Sequence, residues 1–189
     1  MKKATLIFSE ESLLQAGVYQ YGLIDVSEIP FSPEVRTMCT ACPSYNHSWA
    51  CPPAVGEIEE CRWACLSYEK MLVFSARYEL EDSFDYEGMQ DGMRAFKEVC
   101  DQIFQLAQQF KYSLLLSNEG CFRCKTCTWP HSPCRMPERL FPSIEGYGIL
   151  VSELAGKAGI SYVNGPNTVT YFGGLLFSLN IDSEQNIQL

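Results

Sequence analysis

The sequence predicts an α+β fold: a central mixed or antiparallel sheet, a few helices, and cysteine-rich metal loops at one edge. Three observations predict it. Residues 85–110 repeat apolar side chains at helical spacing. Short apolar runs at 71–78, 112–116 and 168–179 have the length and composition of strands. Cysteines cluster in two blocks, 39–51 and 121–134, outside those periodic runs. With 189 residues and 47% hydrophobic content the chain can bury one sizeable core. No Pro/Gly/Ser-rich linker divides it, so residues 1–189 are read as a single metal-binding domain.

In chain order, residues 10–20 suit a short helix with Leu13, Leu14, Val18 and Tyr19 on one side. Leu23 to Phe31 is extended and ends in turn chemistry at Pro30, Ser32 and Pro33. Glu57 to Tyr68 is a helix after Gly56, which puts Cys61 and Cys65 on one face. Met71 to Tyr78 is a strand. In the 85–110 helix Met93, Phe96, Val99, Cys100 and Ile103 form the apolar stripe, so Cys100 is packing, as are Met89 and Met93. Tyr112 to Leu116 is a strand that delivers the chain into the Cys121 loop. Ser143 is the N-cap of a helix over 144–158, weakened by Gly146 and Gly148 and stopped at Gly159. Ile160 to Val163 and Thr168 to Phe172 read as two antiparallel strands about an Asn164–Asn167 turn. Gly173-Gly174 then suggests a bulge or bend before Leu175 to Leu179, and the last ten residues are polar and expected to fray.

A net charge of -9 argues against a general nucleic-acid or anionic-membrane binder. No run approaches the roughly 18 apolar residues of a membrane span. The basic-then-apolar N-terminus is interrupted by Ser9, Glu10 and Glu11, too early for a signal-peptide core. A cytoplasmic location follows, and with it ten reduced thiols that point to metal or catalysis before disulfides. There is no internal repeat, no Gly-rich phosphate loop and no nucleotide fingerprint.

The most informative stretch is Cys121-x2-Cys124-x2-Cys127-x6-Cys134. Three cysteines spaced by two residues wind tightly round a cubane iron–sulfur site, and a later cysteine gives the fourth thiolate. Zinc competes, because all-cysteine zinc sites also use Cys-x2-Cys arms, but a third cysteine two residues on is less natural for it. The stretch from Cys121 to Arg139 is locally cationic, with Arg123, Lys125, Arg135 and Arg139 against Glu138. Those cations either offset an anionic cluster or are loop residues pointing into water.

The first block, Cys39-x2-Cys42-x8-Cys51-Pro52-Pro53, admits two readings. Cys39, Cys42 and Cys51 hold a second cluster with Cys61 or Cys65 as fourth ligand, Cys61 being favoured and Cys65 read as core. Alternatively Cys39, Cys42, His47 and Cys51 form a zinc-knuckle-like site whose last gap is one residue short.

These residues resemble a cysteine-rich family of predicted metal-binding proteins of anaerobic bacteria and archaea, over nearly the whole chain. One block of the resemblance is Val35-Arg36, Cys39-Thr40-Ala41-Cys42, Tyr45, Trp49, Cys51-Pro52-Pro53, Gly56 and Glu59-Glu60-Cys61. The other is Gly120-Cys121, Cys124, Cys127, Pro133-Cys134-Arg135, Pro137-Glu138, Pro142-Ser143 and Gly148. The resemblance implies Cys39, Cys42, Cys51, Cys121, Cys124, Cys127 and Cys134 as the ligand set, with Cys61 the eighth. His47 is not in its pattern. Leu150 stands where the family is acidic, and Ile144 where Met is common. No reaction comes with the resemblance.

Three functions are therefore expected in order. The first is a soluble protein with one or two [4Fe–4S] clusters in electron transfer or a small redox reaction, partnered by a redox protein. The second is a structural zinc adaptor, with Tyr45, Trp49 and Trp129 as contact aromatics. The third is an enzyme whose Cys39, Cys42, Cys51 cluster keeps one iron open to substrate. Neither nucleic acid nor membrane is an expected partner, and the sequence assigns no oligomeric state.

Overall fold

The computed structural model describes residues 8–179. The N-terminal basic stretch through Ile7 and the C-terminal residues expected to fray lie outside them. Four strands form one antiparallel sheet in the order β1-β2-β4-β3. They are β1 (Gln20–Asp25), β2 (Lys70–Glu79), β3 (Ser113–Ser117) and β4 (Thr168–Phe177). Five α-helices accompany them: α1 (Glu10–Gln15), α2 (Pro33–Met38), α3 (Ile58–Leu66), α4 (Tyr86–Leu106) and α5 (Val151–Lys157). The fold is α+β, and the sheet is antiparallel throughout.

Four of the five helices start where the sequence offers a cap. Ser9 accepts from the Ser12 N–H at α1, and Asp85 accepts from the Gly88 N–H at α4. Glu57 and Glu60 form a reciprocal capping box at α3. Ser32 caps α2, with Pro33 at its first position.

Both faces of the sheet are buried, and the strand period sorts the side chains between them. Leu72, Phe74 and Ala76 of β2 join Leu115, Tyr171, Leu175 and Phe177 against α1 and α4, where Phe96, Cys100 and Ile103 face them. Met71, Val73, Leu116, Phe172 and Leu176 turn to the other face, against α3, α5 and the turn at Tyr147. Each large side chain so buried contributes about 1.5–3 kcal/mol. Cys65 and Cys100 are fully buried in these two cores, as packing residues.

Five expectations change. The 10–20 helix stops at Gln15, and Gly17 at φ +88° turns the chain into β1. The extended reading of 23–31 gives way at Asp25 to a 3-10 turn, Val26–Glu28. The single helix over 144–158 is broken by Gly148 at φ +71° into a 3-10 turn, Glu145–Tyr147, and α5. No strand forms at 160–163, and β4 runs unbroken through Gly173-Gly174 without a bulge. Those glycines make room instead: a β-carbon on Gly173 would lie 2.2 Å from the Phe74 ring, and one on Gly174 would lie 1.9 Å from Met71 Cε.

Candidate metal centre

The second cysteine block leaves the edge strand β3. The Asn118 N–H donates to the Phe172 carbonyl at 2.9 Å, and its side-chain oxygen accepts from the Phe172 N–H at 3.0 Å. Asn118 so mimics one more sheet residue before the chain turns away. Glu119, Gly120 and Phe122 then take positive φ angles of 65°, 77° and 52°, coiling the backbone tightly round Cys121. The buried Arg123 side chain ties the loop to α4, donating to Asp101 at 2.7 and 3.0 Å and to the Lys97 carbonyl at 3.2 Å. Arg139 also pairs with Asp101 and, at 3.1 Å, with Glu98. Arg135 donates to the Thr126 carbonyl at 2.8 Å. Three of the four loop cations are thus structural ties, and of these Arg123 and Arg139 are already paired with carboxylates of α4.

The first block follows α2 as a chain of tight turns. The Cys42 N–H donates to the Cys39 carbonyl at 3.0 Å, and the Cys51 N–H to the Ser48 carbonyl at 3.2 Å. The Pro52–Pro53 bond is cis. Arg36 donates to the carbonyls of Gly146 and Gly56, and the Ser143 N–H donates to the Ala50 carbonyl at 2.8 Å.

The two blocks meet. The Trp49 and Trp129 rings pack edge to face with centroids 4.6 Å apart. Each indole N–H crosses to the other block: Trp49 to Thr128 Oγ1 and the Ser132 carbonyl, both at 3.2 Å, and Trp129 to Asn46 Oδ1 at 3.0 Å. Both rings therefore brace the cysteine loops against each other.

Between the blocks lies a cavity of about 630 Å³, lined by five thiol residues: Cys39, Cys42, Cys121, Cys124 and Cys127. His47, Glu119 and Glu145 line it too. Cys51 is buried beside it against Gly120. Cys134 is half-buried and accepts from the Met136 N–H at 3.4 Å. Cys61 is elsewhere. It lies on α3 in the core beside Cys65 and Tyr147, its thiol donates to the Val55 carbonyl at 3.3 Å, and Arg36 reaches its sulfur at 3.9 Å.

Burial sets the electrostatics. It pushes the Cys51 thiol up to about 11, although the Ser143 and Ser48 hydroxyls pull the other way. Burial raises Cys39 and Cys121 as well, and the Glu145 charge adds to the rise at Cys39. Glu145 itself is pushed up to about 7 by burial. Lys97 is only 4% exposed, and burial pulls its pKa down. Its ammonium donates to Ser117 Oγ and, at 2.8 Å, to the Asn118 carbonyl, and among the described residues no carboxylate pairs with it.

The donor set is soft: five thiol residues line one cavity, and thiolate sulfur suits zinc and iron–sulfur centres alike. Among the described residues no three Cys, His, Asp or Glu side chains converge closely enough to hold one metal ion. A buried cation satisfied only by neutral oxygens also fits a metal centre, because thiolates on a metal supply the missing negative charge. The Cys121 thiolate is one of the charges Lys97 feels.

Sequence reasoning passed over Lys97, Glu145 and the indole braces. Lys97 had a signal: it sits one turn after Met93 on the apolar stripe of α4. Glu145 had none, because only the fold brings its turn to the cavity.

The family model described as predicted metal-binding protein (DUF2284) matches residues 22–177, a span that holds all ten cysteines. No curated protein and no solved structure shows a match to the chain.

Proposed function

The chain belongs to this family of predicted metal-binding proteins, and from that premise we propose that it is an iron–sulfur protein of the [4Fe–4S] type, working in electron transfer or a small redox reaction. One observation carries the reading: five thiol residues from two distant blocks line a single cavity of about 630 Å³. A structural zinc site closes with four ligands at about 2.3 Å from the metal and needs neither the space nor the fifth thiol. The proposed ligands are Cys39, Cys42, Cys51, Cys121, Cys124, Cys127 and Cys134. An iron–sulfur centre there would supply reversible one-electron transfer. The chain's own part is to hold the thiols in loops braced by Trp49 and Trp129, and to set Lys97 near Cys121. A cytoplasmic location and a redox protein partner belong to the same proposal. No helix among the described residues is long and apolar enough to cross a membrane.

The zinc reading keeps one supporting observation, that His47 lines the cavity beside Cys39 and Cys42. Anaerobic purification with visible absorbance and counts of iron, sulfide and zinc separates the two. A brown protein with about eight irons and eight sulfides means two cubanes, and about four of each means one. A colourless protein with zinc and no sulfide overturns the proposal.

A further inference from the structure

We infer that Glu145 is an oxygen ligand of the metal centre on the Cys39, Cys42, Cys51 side of the cavity, in the role expected of Cys61. The inference rests on reading the cavity as a metal centre, and four observations carry it.

Glu145 lines the same cavity as Cys39 and Cys42, and its charge is felt at Cys39. Its turn is clamped to the first cysteine block. The Ser143 N–H holds the Ala50 carbonyl at 2.8 Å, Ser143 Oγ accepts from the Gly146 N–H at 3.0 Å, and Arg36 holds the Gly146 carbonyl. The packing there is close: a β-carbon on Gly146 would stand 2.3 Å from Ser143 Oγ and 3.2 Å from Pro52 Cδ. A carboxylate on so rigid a turn is held in place as a ligand must be.

The carboxylate also lacks an ion-pair partner. Among the described residues no Lys or Arg pairs with it, and its ionised form is favoured by the backbone N–H groups of Glu145 and Glu119 and, more remotely, by the Lys97 charge. With no ion pair of its own, the carboxylate is free to take a metal ion as its partner. Cys61, by contrast, is committed elsewhere. It is 2% exposed, its S–H is donated to Val55, and it packs in the core beneath the sheet. A hard oxygen holds iron less firmly than a thiolate does. The Glu145 position is therefore the exchangeable one, where an incoming oxygen or nitrogen donor can displace the carboxylate.

The test loads the wild-type protein and the Glu145→Ala, Glu145→Gln, Glu145→Cys and Cys61→Ala variants in parallel with iron and sulfide. It reads metal content and the electron paramagnetic resonance of the reduced forms, with circular dichroism of the metal-free chains as the folding control. Glu145→Ala is expected to lower bound iron and sulfide by about half where two clusters are present. Glu145→Cys is expected to restore the content with an altered spectrum, and Cys61→Ala to match wild type in both. Wild-type content and spectrum in Glu145→Ala and Glu145→Gln overturn the inference. Loss in Cys61→Ala alone returns the role to Cys61. A wild-type protein that takes up zinc and no iron sinks the iron–sulfur reading first. The same comparison of bound zinc then decides Glu145: loss in Glu145→Ala supports ligation, and retention overturns it.

Discussion

The sulfur of Cys51 lies against the α-carbon of Gly120, so close that a β-carbon on Gly120 would stand 3.2 Å from it. The residue before Cys121 thus touches the last cysteine of the other block, and it sits at φ +77°. Gly120→Ala adds both strain and crowding. A left-handed angle costs an L-residue roughly 1–2 kcal/mol before the contact is counted. Expected are a lower urea midpoint in the metal-free protein and reduced metal content after loading. An unchanged midpoint would mean the two loops part freely.

Asp101 is the second joint between loop and scaffold. It accepts two hydrogen bonds from Arg123 and two from Arg139, with only 13% of its side chain exposed. Asp101→Asn keeps the shape and removes the charge, leaving the buried Arg123 guanidinium with only Glu98, at 3.9 Å, as counter-charge. Breaking a buried pair costs about 3–5 kcal/mol, and the half-exposed Arg139 brings the expectation to about 2–3. Metal release to a chelator should quicken in parallel. Release at the wild-type rate would show that α4 does not hold the loop.

Much of this architecture was legible from local pattern. α3, α4, β2 and β3 follow directly from periodicity, because each buries one face or two in the usual way. The errors came where tertiary contacts overrule turn chemistry. Gly173-Gly174 looks like a bend but runs straight, the missing side chains leaving room for Phe74 and Met71. Ile160 to Val163 looks like a hairpin strand, yet it forms no ladder, and residues 168–172 of β4 pair with β2 instead. α2 is readable from Ser32-Pro33, a cap followed by a first-turn proline, although turn chemistry fits the same residues. Cysteine spacing pointed to the two blocks. Their meeting was not readable, because it depends on Trp49 packing on Trp129 and Cys51 on Gly120.

Leu150 connects the resemblance to a physical role. It is the N-cap of α5 and makes no side-chain capping bond. An acidic residue at that place would cap the helix and needs no part in proton transfer. Leu150→Asp is expected to stabilise the metal-free protein by about 1 kcal/mol in urea unfolding. A loss of stability would mean that Leu150 packs more than a cap contributes.

Buried thiols make the metal-free protein sensitive to alkali. Burial pushes Cys51 and Cys100 up to about 11 and Cys65 up to about 12. Unfolded, each titrates near about 8.5. Between these values the folded state keeps protons that the unfolded state releases, so stability is fully present below about pH 8.5 and falls as pH rises toward 11. Thermal midpoints of the metal-free protein should drop across that window, and Cys100→Ala should show a shallower slope. Parallel slopes would mean that Cys100 is not the buried acid its position makes it.

Lys97 separates charge from packing. Its ammonium has Ser117 and Asn118 oxygens but no carboxylate partner among the described residues, and the Cys121 thiolate lies within its field. Lys97→Met replaces the buried cation by an apolar chain of similar length. Such exchanges are often neutral or stabilising, so the metal-free protein should melt at or above the wild-type midpoint. The loaded protein should respond differently. A positive charge beside a centre favours its reduced form, by about 2 kcal/mol, or about 90 mV for one electron, at a protein-like dielectric. Redox titration should therefore place the variant below wild type by an amount of that order. An unchanged potential with an intact centre would show that the charge is screened from the metal, and the ammonium would then serve only to hold the end of β3.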